Sequence, residues 1–238
     1  MHQQERLVEN KEMSLREEMC RIGKLLFDRM FVAGTEGNVS VRLSDDEILV
    51  TPTQVSKGMM RPEMMVKVDL SGNVLSGELK PSSELPMHLK IYNDRPDVKA
   101  VVHAHPPYAT AHAVSGVPFD RAFLPEAVVY LGDIPIAPYG LPSSQEIPEA
   151  IQPYLADHTA LLLENHGALT WGEDLLTAYF HMENLEQLAK IHLYSRMLGG
   201  VRYLSQKRVD ELIRLKDGLG STNKPPKGVH CPDGKDLC

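Results

Sequence analysis

Two histidines at the end of an apolar run constrain this chain more than any other stretch: Ala100-Val101-Val102-His103-Ala104-His105-Pro106. The run reads as a buried strand. Alternate side chains on a strand share a face, so His103 and His105 point the same way. A second apolar run, Leu161-Leu162-Leu163-Glu164-Asn165-His166-Gly167, also delivers a histidine beside a glycine. Together these would make a three-imidazole site for a divalent ion, with a position left open. The competing reading is structural, since a buried histidine is commonly satisfied by a backbone carbonyl. Burying two imidazoles without partners is costly, and the spacing leaves both readings open.

The rest of the chain alternates helical and strand patterns. Ser14-Leu15-Arg16-Glu17 has capping-box form, and Leu15, Met19, Ile22, Leu26 and Met30 follow at helical spacing up to Gly34. Asn38 to Leu43 and Ile48 to Thr51 read as a hairpin. Met65 to Leu70 is a third strand, and a short one lies at Val74. Pro81-Ser82-Ser83-Glu84 opens a helix to about Asn93, with Ser82 or Ser83 as its cap. Short helices are expected from Pro107 to Val114, from Ile147 to Leu155 with Ser143 or Ser144 as cap, and from Gln206 to Leu215. A long helix is expected from Asp174 to Leu198, and short strands at 134–137, 160–163 and 168–171. This predicts one α/β domain over residues 14–215, with helices packed on a sheet. An N-terminal extension (1–13) precedes it, and a mobile tail (216–238) rich in Gly, Pro and Lys follows.

A net charge of −7 argues against nucleic-acid binding. No apolar run is long enough to span a membrane, and Met1 to Glu5 lacks the apolar core of a signal peptide. Three cysteines, Cys20, Cys231 and Cys238, imply no disulfide framework. The expectation is a cytoplasmic protein.

Glu84, near its helix start, reads either as a carboxylate favoured by the helix dipole or as a general base beside a metal. Ser82 and Ser83 are helix caps or, with free backbone N–H groups, part of an anion site. The turn-forming stretches Gly34-Thr35-Glu36-Gly37-Asn38 and Thr51-Pro52-Thr53 would add phosphate donors. His88, His112, His181 and His192 fall in helical patterns and read as surface or packing residues.

Taken together, GTEGNVSV (34–41), Thr51-Pro52-Thr53, Pro81-Ser82-Ser83-Glu84, Ala100 to His105 and ENHG (164–167) resemble the class II aldolase/adducin family, over about Leu15 to Leu198. That family includes L-fuculose-1-phosphate aldolase and L-ribulose-5-phosphate 4-epimerase. The resemblance implies a three-layer α/β/α sandwich around a mainly antiparallel sheet, and a homotetramer with sites at subunit interfaces. By position, His103, His105 and His166 would bind Zn2+. Glu84 would be the acid/base, and Asn38, Thr53, Ser82 and Ser83 would hold a phosphate. The implied activity is zinc-dependent aldol cleavage of a small sugar phosphate through an enediolate. The alternatives are an epimerase, a dehydratase or a decarboxylase using the same zinc site. A non-enzymatic adducin-like module and a three-histidine zinc hydrase stand further off.

Two departures from the family aldolase stand out. Gln54 replaces the glycine of its Thr-Pro-Thr-Gly loop. Leu124-Pro125-Glu126 stands where that aldolase uses a tyrosine on the aldehyde oxygen. Glu126 or Tyr130 are the candidates for that role.

Overall fold

The computed structural model describes the backbone of residues 2–217 and the side chains of residues 10–215. Helix α1 (His2–Asp28) leads into β1 (Asn38–Arg42), β2 (Glu47–Val50), β3 (Val66–Asp69) and β4 (Val74–Ser76). Then come α2 (Leu85–Asp94), β5 (Ala100–Ala104), α3 (Pro107–Ser115), β6 (Ile136–Ala137) and α4 (Glu146–Ile151). β7 (Ala160–Leu163), β8 (Gly167–Gly172), α5 (Leu175–Met197) and α6 (Gln206–Asp217) complete the described chain. The eight strands form one sheet in the order β4-β3-β2-β1-β5-β8-β7-β6. Only the β6–β7 pair is parallel.

Strand alternation divides the core in two. Val39, Val41, Val102 and Ala104 face a layer built by Met19, Ile22 and Leu26 of α1, Ala109 of α3, and Tyr179, Met182 and Leu185 of α5. Ile48, Val50, Val101, Leu161 and Trp171 face the opposite layer, with Leu85, Met87, Ile91 and Tyr92 of α2 and Ile147 and Ile151 of α4. The expected three-layer α/β/α sandwich with a mainly antiparallel sheet is therefore observed. Several side chains in each layer have no exposure at all, and each such aliphatic contributes about 1.5–3 kcal/mol of burial.

Three local expectations are corrected. The first helix does not start at Ser14. α1 runs unbroken from His2, so part of the supposed extension is helical. The residues before Ser14 are mostly good helix formers, with no proline or glycine to stop them. Glu12 anchors that turn, accepting from Arg16 Nε at 2.9 Å and pairing with Lys67 at 2.6 Å. Neither Ser82 nor Ser83 occupies the cap position of α2. Glu84 does, and it makes no side-chain cap bond of its own. α4 stops at Ile151 and passes into a 3-10 turn over Gln152–Tyr154, with Gln145 rather than a serine at its cap. In addition, Ala127–Leu131 forms a single π-helical turn that the sequence pattern did not suggest.

Among the described residues no helix is long and apolar enough to cross a membrane. Cys231, Cys238 and the tail beyond residue 217 lie outside the described residues.

Candidate metal centre

The sheet register sets the site. Asn38 of β1 stands opposite His103 of β5, and His103 stands opposite Leu169 of β8. His103 thus lies at the centre of the sheet, on the face that packs against α2. His105 follows β5 by one residue, its backbone N–H donating to the Phe31 carbonyl at 2.8 Å. His166 sits in the tight β7–β8 corner, where its N–H donates to Leu163 O at 3.0 Å. Asn165, just before it, takes φ 53°, a left-handed conformation that asparagine tolerates better than most residues. Gly167 completes the corner. A Cβ there would lie 2.6 Å from His105 Cδ2 and 2.7 Å from Ala104 O.

The ligand atoms of His103, His105 and His166 all fall within 4.8 Å of one another. Their hydrogen bonds define the tautomers. A carbonyl only accepts, so His103 Nδ1 donates to Ala168 O at 2.9 Å. His105 Nδ1 lies 3.2 Å from the Glu36 carboxylate. Each ring is then left with a bare lone pair on Nε2, and these two atoms are 3.1 Å apart. Two lone pairs facing each other repel unless a cation lies between them. Two nitrogens bonded to a tetrahedral ion at about 2.0–2.1 Å would stand about 3.3 Å apart, close to that spacing. His166 Nδ1 is buried with no hydrogen-bond partner. The donor set fits a divalent metal. Burial pushes His103 down to about 3, with Glu84 opposing, and lowers His105 as well. Both rings are held neutral, as metal ligation requires.

Glu84 reaches in from the start of α2. Its Oε2 is 3.3 Å from His103 Nε2, and its Oε1 is 3.2 Å from His166 Nε2. Burial raises its proton affinity, but hydrogen bonds from the His166 ring and the Asn38 amide outweigh it and hold the carboxyl well below the usual range. Asn38 Nδ2 donates to Glu84 Oε2 at 2.8 Å.

Of the other predicted residues, Asn38 and Ser82 bond to Glu84. Pro52 and Pro81 form a bridge flanked by Thr53 N–H to Lys80 O at 3.0 Å and Ser82 N–H to Thr51 O at 3.1 Å. Thr53 and Ser82 are therefore carried on adjoining segments. Ser82 Oγ accepts from Glu84 N at 3.3 Å, and Ser83 is exposed. Gln54 is exposed and takes φ 57°, the conformation that a glycine adopts without penalty. Glu126 and Tyr130 lie on the exposed side of the π turn, Glu126 lining a groove with Asn184 and Gln187 of α5.

The sequence reading gave no site role to Glu36 or Lys57, and it took His88, which is fully buried, for a surface or packing residue. Glu36 fixes His105. Lys57 is almost fully buried, and its Nζ donates to Thr35 O at 3.0 Å and Val55 O at 2.8 Å, tying the Gly34–Asn38 stretch to the segment just beyond Thr53. Glu36 lies inside the quoted GTEGN stretch. His88 follows Glu84 by one helical turn, which was a usable signal.

The family model for the class II aldolase and adducin N-terminal domain matches residues 17–193. The chain is 39% identical over 207 residues to the 3-oxo-tetronate 4-phosphate decarboxylase of Escherichia coli strain K12, covering 84% of this chain and 96% of that protein. It is 38% identical over 175 residues to an L-fuculose phosphate aldolase of Methanococcus maripaludis, covering 74% and 94%. Among solved structures, YgbL from Escherichia coli superposes with a TM-score of 0.78 at 39% identity over 84% of this chain and 98% of that one. An L-fuculose 1-phosphate aldolase gives a TM-score of 0.80 at 30% identity, over 86% and 96%. The chain belongs to the class II aldolase/adducin family.

Proposed function

We propose that this chain is a metal-dependent carbon–carbon lyase that decarboxylates a phosphorylated 3-oxo sugar acid. The observation that carries the lyase reading is the pair of bare Nε2 atoms facing each other beside His166 and a partly buried Glu84. The decarboxylase reading takes precedence over the aldol cleavage expected from the motifs for two reasons. Relatives at 39% identity carry the decarboxylase name. In addition, Leu124-Pro125-Glu126 offers no tyrosine for an aldehyde oxygen. Carbon dioxide leaves as a neutral molecule without giving up a proton, so a decarboxylase does not need that group. An aldol cleavage must remove a proton from the departing hydroxyl.

His103, His105 and His166 would hold the metal, zinc by resemblance, which would supply Lewis-acid stabilisation of negative charge on substrate oxygens. In the proposed reaction the bond between the carboxylate carbon and its neighbour breaks. Its electron pair moves into the adjacent carbonyl, giving an enediolate. Glu84, a carboxylate at rest, takes up a proton from solvent as negative charge builds beside it, delivers that proton to the carbon that lost carbon dioxide and returns to carboxylate. Asn38 holds the carboxylate in place. Thr53, Ser82 and Ser83 would receive the phosphate on the adjoining segments. Glu126 and Tyr130 remain candidates for contacts across the proposed homotetramer interface.

The test is turnover of 3-oxo-tetronate 4-phosphate by the zinc-loaded protein. The expected products are carbon dioxide and dihydroxyacetone phosphate, the latter carrying one carbon-bound deuterium when the reaction runs in heavy water. Glu84→Gln should bind zinc and lose this turnover. A higher kcat/KM for aldol cleavage of L-fuculose 1-phosphate would restore the aldolase reading. Loss of zinc from neither His105→Ala nor His166→Ala would remove the metal centre altogether.

A further inference from the structure

Behind Glu84 a file of buried polar side chains runs into the α2 layer. Glu84, His88 and Tyr92 are spaced by four along α2, while Asn38 and Ser40 alternate on β1. Both spacings place their members on one face. Asn38 Nδ2 donates to Glu84 Oε2 at 2.8 Å, and Asn38 Oδ1 meets His88 Nε2. His88 Nδ1 is 2.6 Å from Ser40 Oγ, which is 2.9 Å from the Tyr92 hydroxyl. Asn38, Ser40, His88 and Tyr92 are each at most 2% exposed.

Donor and acceptor chemistry leaves this file a single polarity. An ionised carboxylate only accepts, so Asn38 must turn its NH2 group to Glu84 and its oxygen to His88. That oxygen only accepts, so His88 carries its proton on Nε2. A neutral imidazole then offers a lone pair at Nδ1, which takes the Ser40 hydroxyl proton. Ser40 Oγ in turn accepts from Tyr92. Complete burial pushes His88 down to about 4 against the pull of Glu84, and burial pushes the Tyr92 phenol up. Both groups keep the protonation states that the file needs.

We propose that Tyr92, Ser40 and His88 form a one-way donor chain that locks the Asn38 amide toward Glu84, making His88 a positioning residue for that carboxylate. An amide held only by the carboxylate would be free to swing about that one bond. With the chain in place, rotation breaks the bonds at both ends of Asn38, and aligned hydrogen bonds reinforce one another. The kinetic consequence rests on the lyase reading above, whereas the polarity does not.

The experiment is a long-range imidazole 15N–1H correlation spectrum of the zinc-loaded protein without substrate, with the His88 signals assigned by their loss in His88→Gln. The Nε2–H tautomer is expected, and an Nδ1–H tautomer overturns the chain. This arm uses the unaltered protein, so it decides even where a variant does not fold. It also stands apart from turnover: the expected tautomer with no decarboxylation sinks the function and leaves the chain intact. In an active enzyme, His88→Leu should lower kcat by about tenfold with KM and zinc content little changed. His88→Gln, which can still donate to Asn38, should recover most of that loss. Equal losses in both variants, or none in either, would overturn the positioning role.

Discussion

The Glu36 carboxylate lies 3.2 Å from His105 Nδ1 with one oxygen and accepts the Ala33 backbone N–H at 2.7 Å with the other. One side chain therefore ties the loop before β1 to a ring of the metal centre. Outer partners of this kind fix the ring and raise its basicity. Glu36→Ala should weaken zinc binding by about 10–100-fold. Glu36→Gln, whose amide oxygen can still accept a hydrogen bond from Nδ1, should weaken it less. Competition against a chelator of known affinity measures both, and an unchanged affinity in Glu36→Ala would remove Glu36 from the site.

Gly167→Ala should disturb stability and ligation together. The added carbon would meet the His105 ring and the Ala104 carbonyl, and the carbonyl cannot swing away. Overpacking of this kind costs about 1–3 kcal/mol. A shifted urea midpoint with an unchanged slope, plus reduced zinc stoichiometry, is the expected result. Wild-type behaviour in both would show that the corner has slack.

These two sites show where the sequence was legible and where it stopped. Period-two alternation disclosed β1 and the end of β5, because side chains buried on alternate faces leave a direct trace in the residue order. The His-x-His spacing and ENHG disclosed the three imidazoles for the same reason. Glu36 and His88 left a weaker trace. Their roles arise only when β1, β5 and α2 lie side by side, and that proximity is a property of tertiary packing. Ser14 misled because its capping-box pattern also fits a helix interior, and the residues upstream were good enough helix formers to carry α1 past it. The proposed decarboxylase reading left its trace in two departures, Gln54 and the missing tyrosine, which the sequence reading could weigh but not rank first.

Gln54 gives a test of backbone conformation. At φ 57° a non-glycine residue is strained. Gln54→Gly should leave stability equal or raise it by up to about 1 kcal/mol, because relief of strain outweighs the greater freedom of the unfolded glycine. Gln54→Val, branched at Cβ, should lower stability by at least about 1 kcal/mol. Urea unfolding of the two variants decides, and the reverse order would mean that the loop does not hold this conformation in solution.

Acid sensitivity should come in part from the buried pair His112 and His192. His112 Nδ1 donates to Tyr108 O at 2.8 Å, so its Nε2 accepts from His192 Nδ1 at 2.9 Å, and both rings are neutral. Burial lowers both groups and takes His192 down to about 4, with His112 and Arg196 adding to the effect. The unfolded chain binds these protons near the ordinary value of about 6.5, while the folded chain resists them. Stability should therefore be full above that value and fall as the pH drops toward 4. His192→Phe should flatten the pH dependence of the melting temperature in this window. An unchanged slope would assign the acid sensitivity to other groups.

The pairing of β5 with β8 has a consequence for how the protein acquires its ion. His103 bonds to Ala168 across 65 positions of chain, and His166 stands at the entrance to that same strand. Ions offered to a nascent chain would find the His-x-His pair but not the third ring. Binding at all three rings would wait until the middle of the sheet has closed, so the ion would act as a lock on a finished structure rather than as a template for it. Once bound, the ion would stabilise the folded state by the difference between its affinity for the closed three-ring site and for the open His-x-His pair.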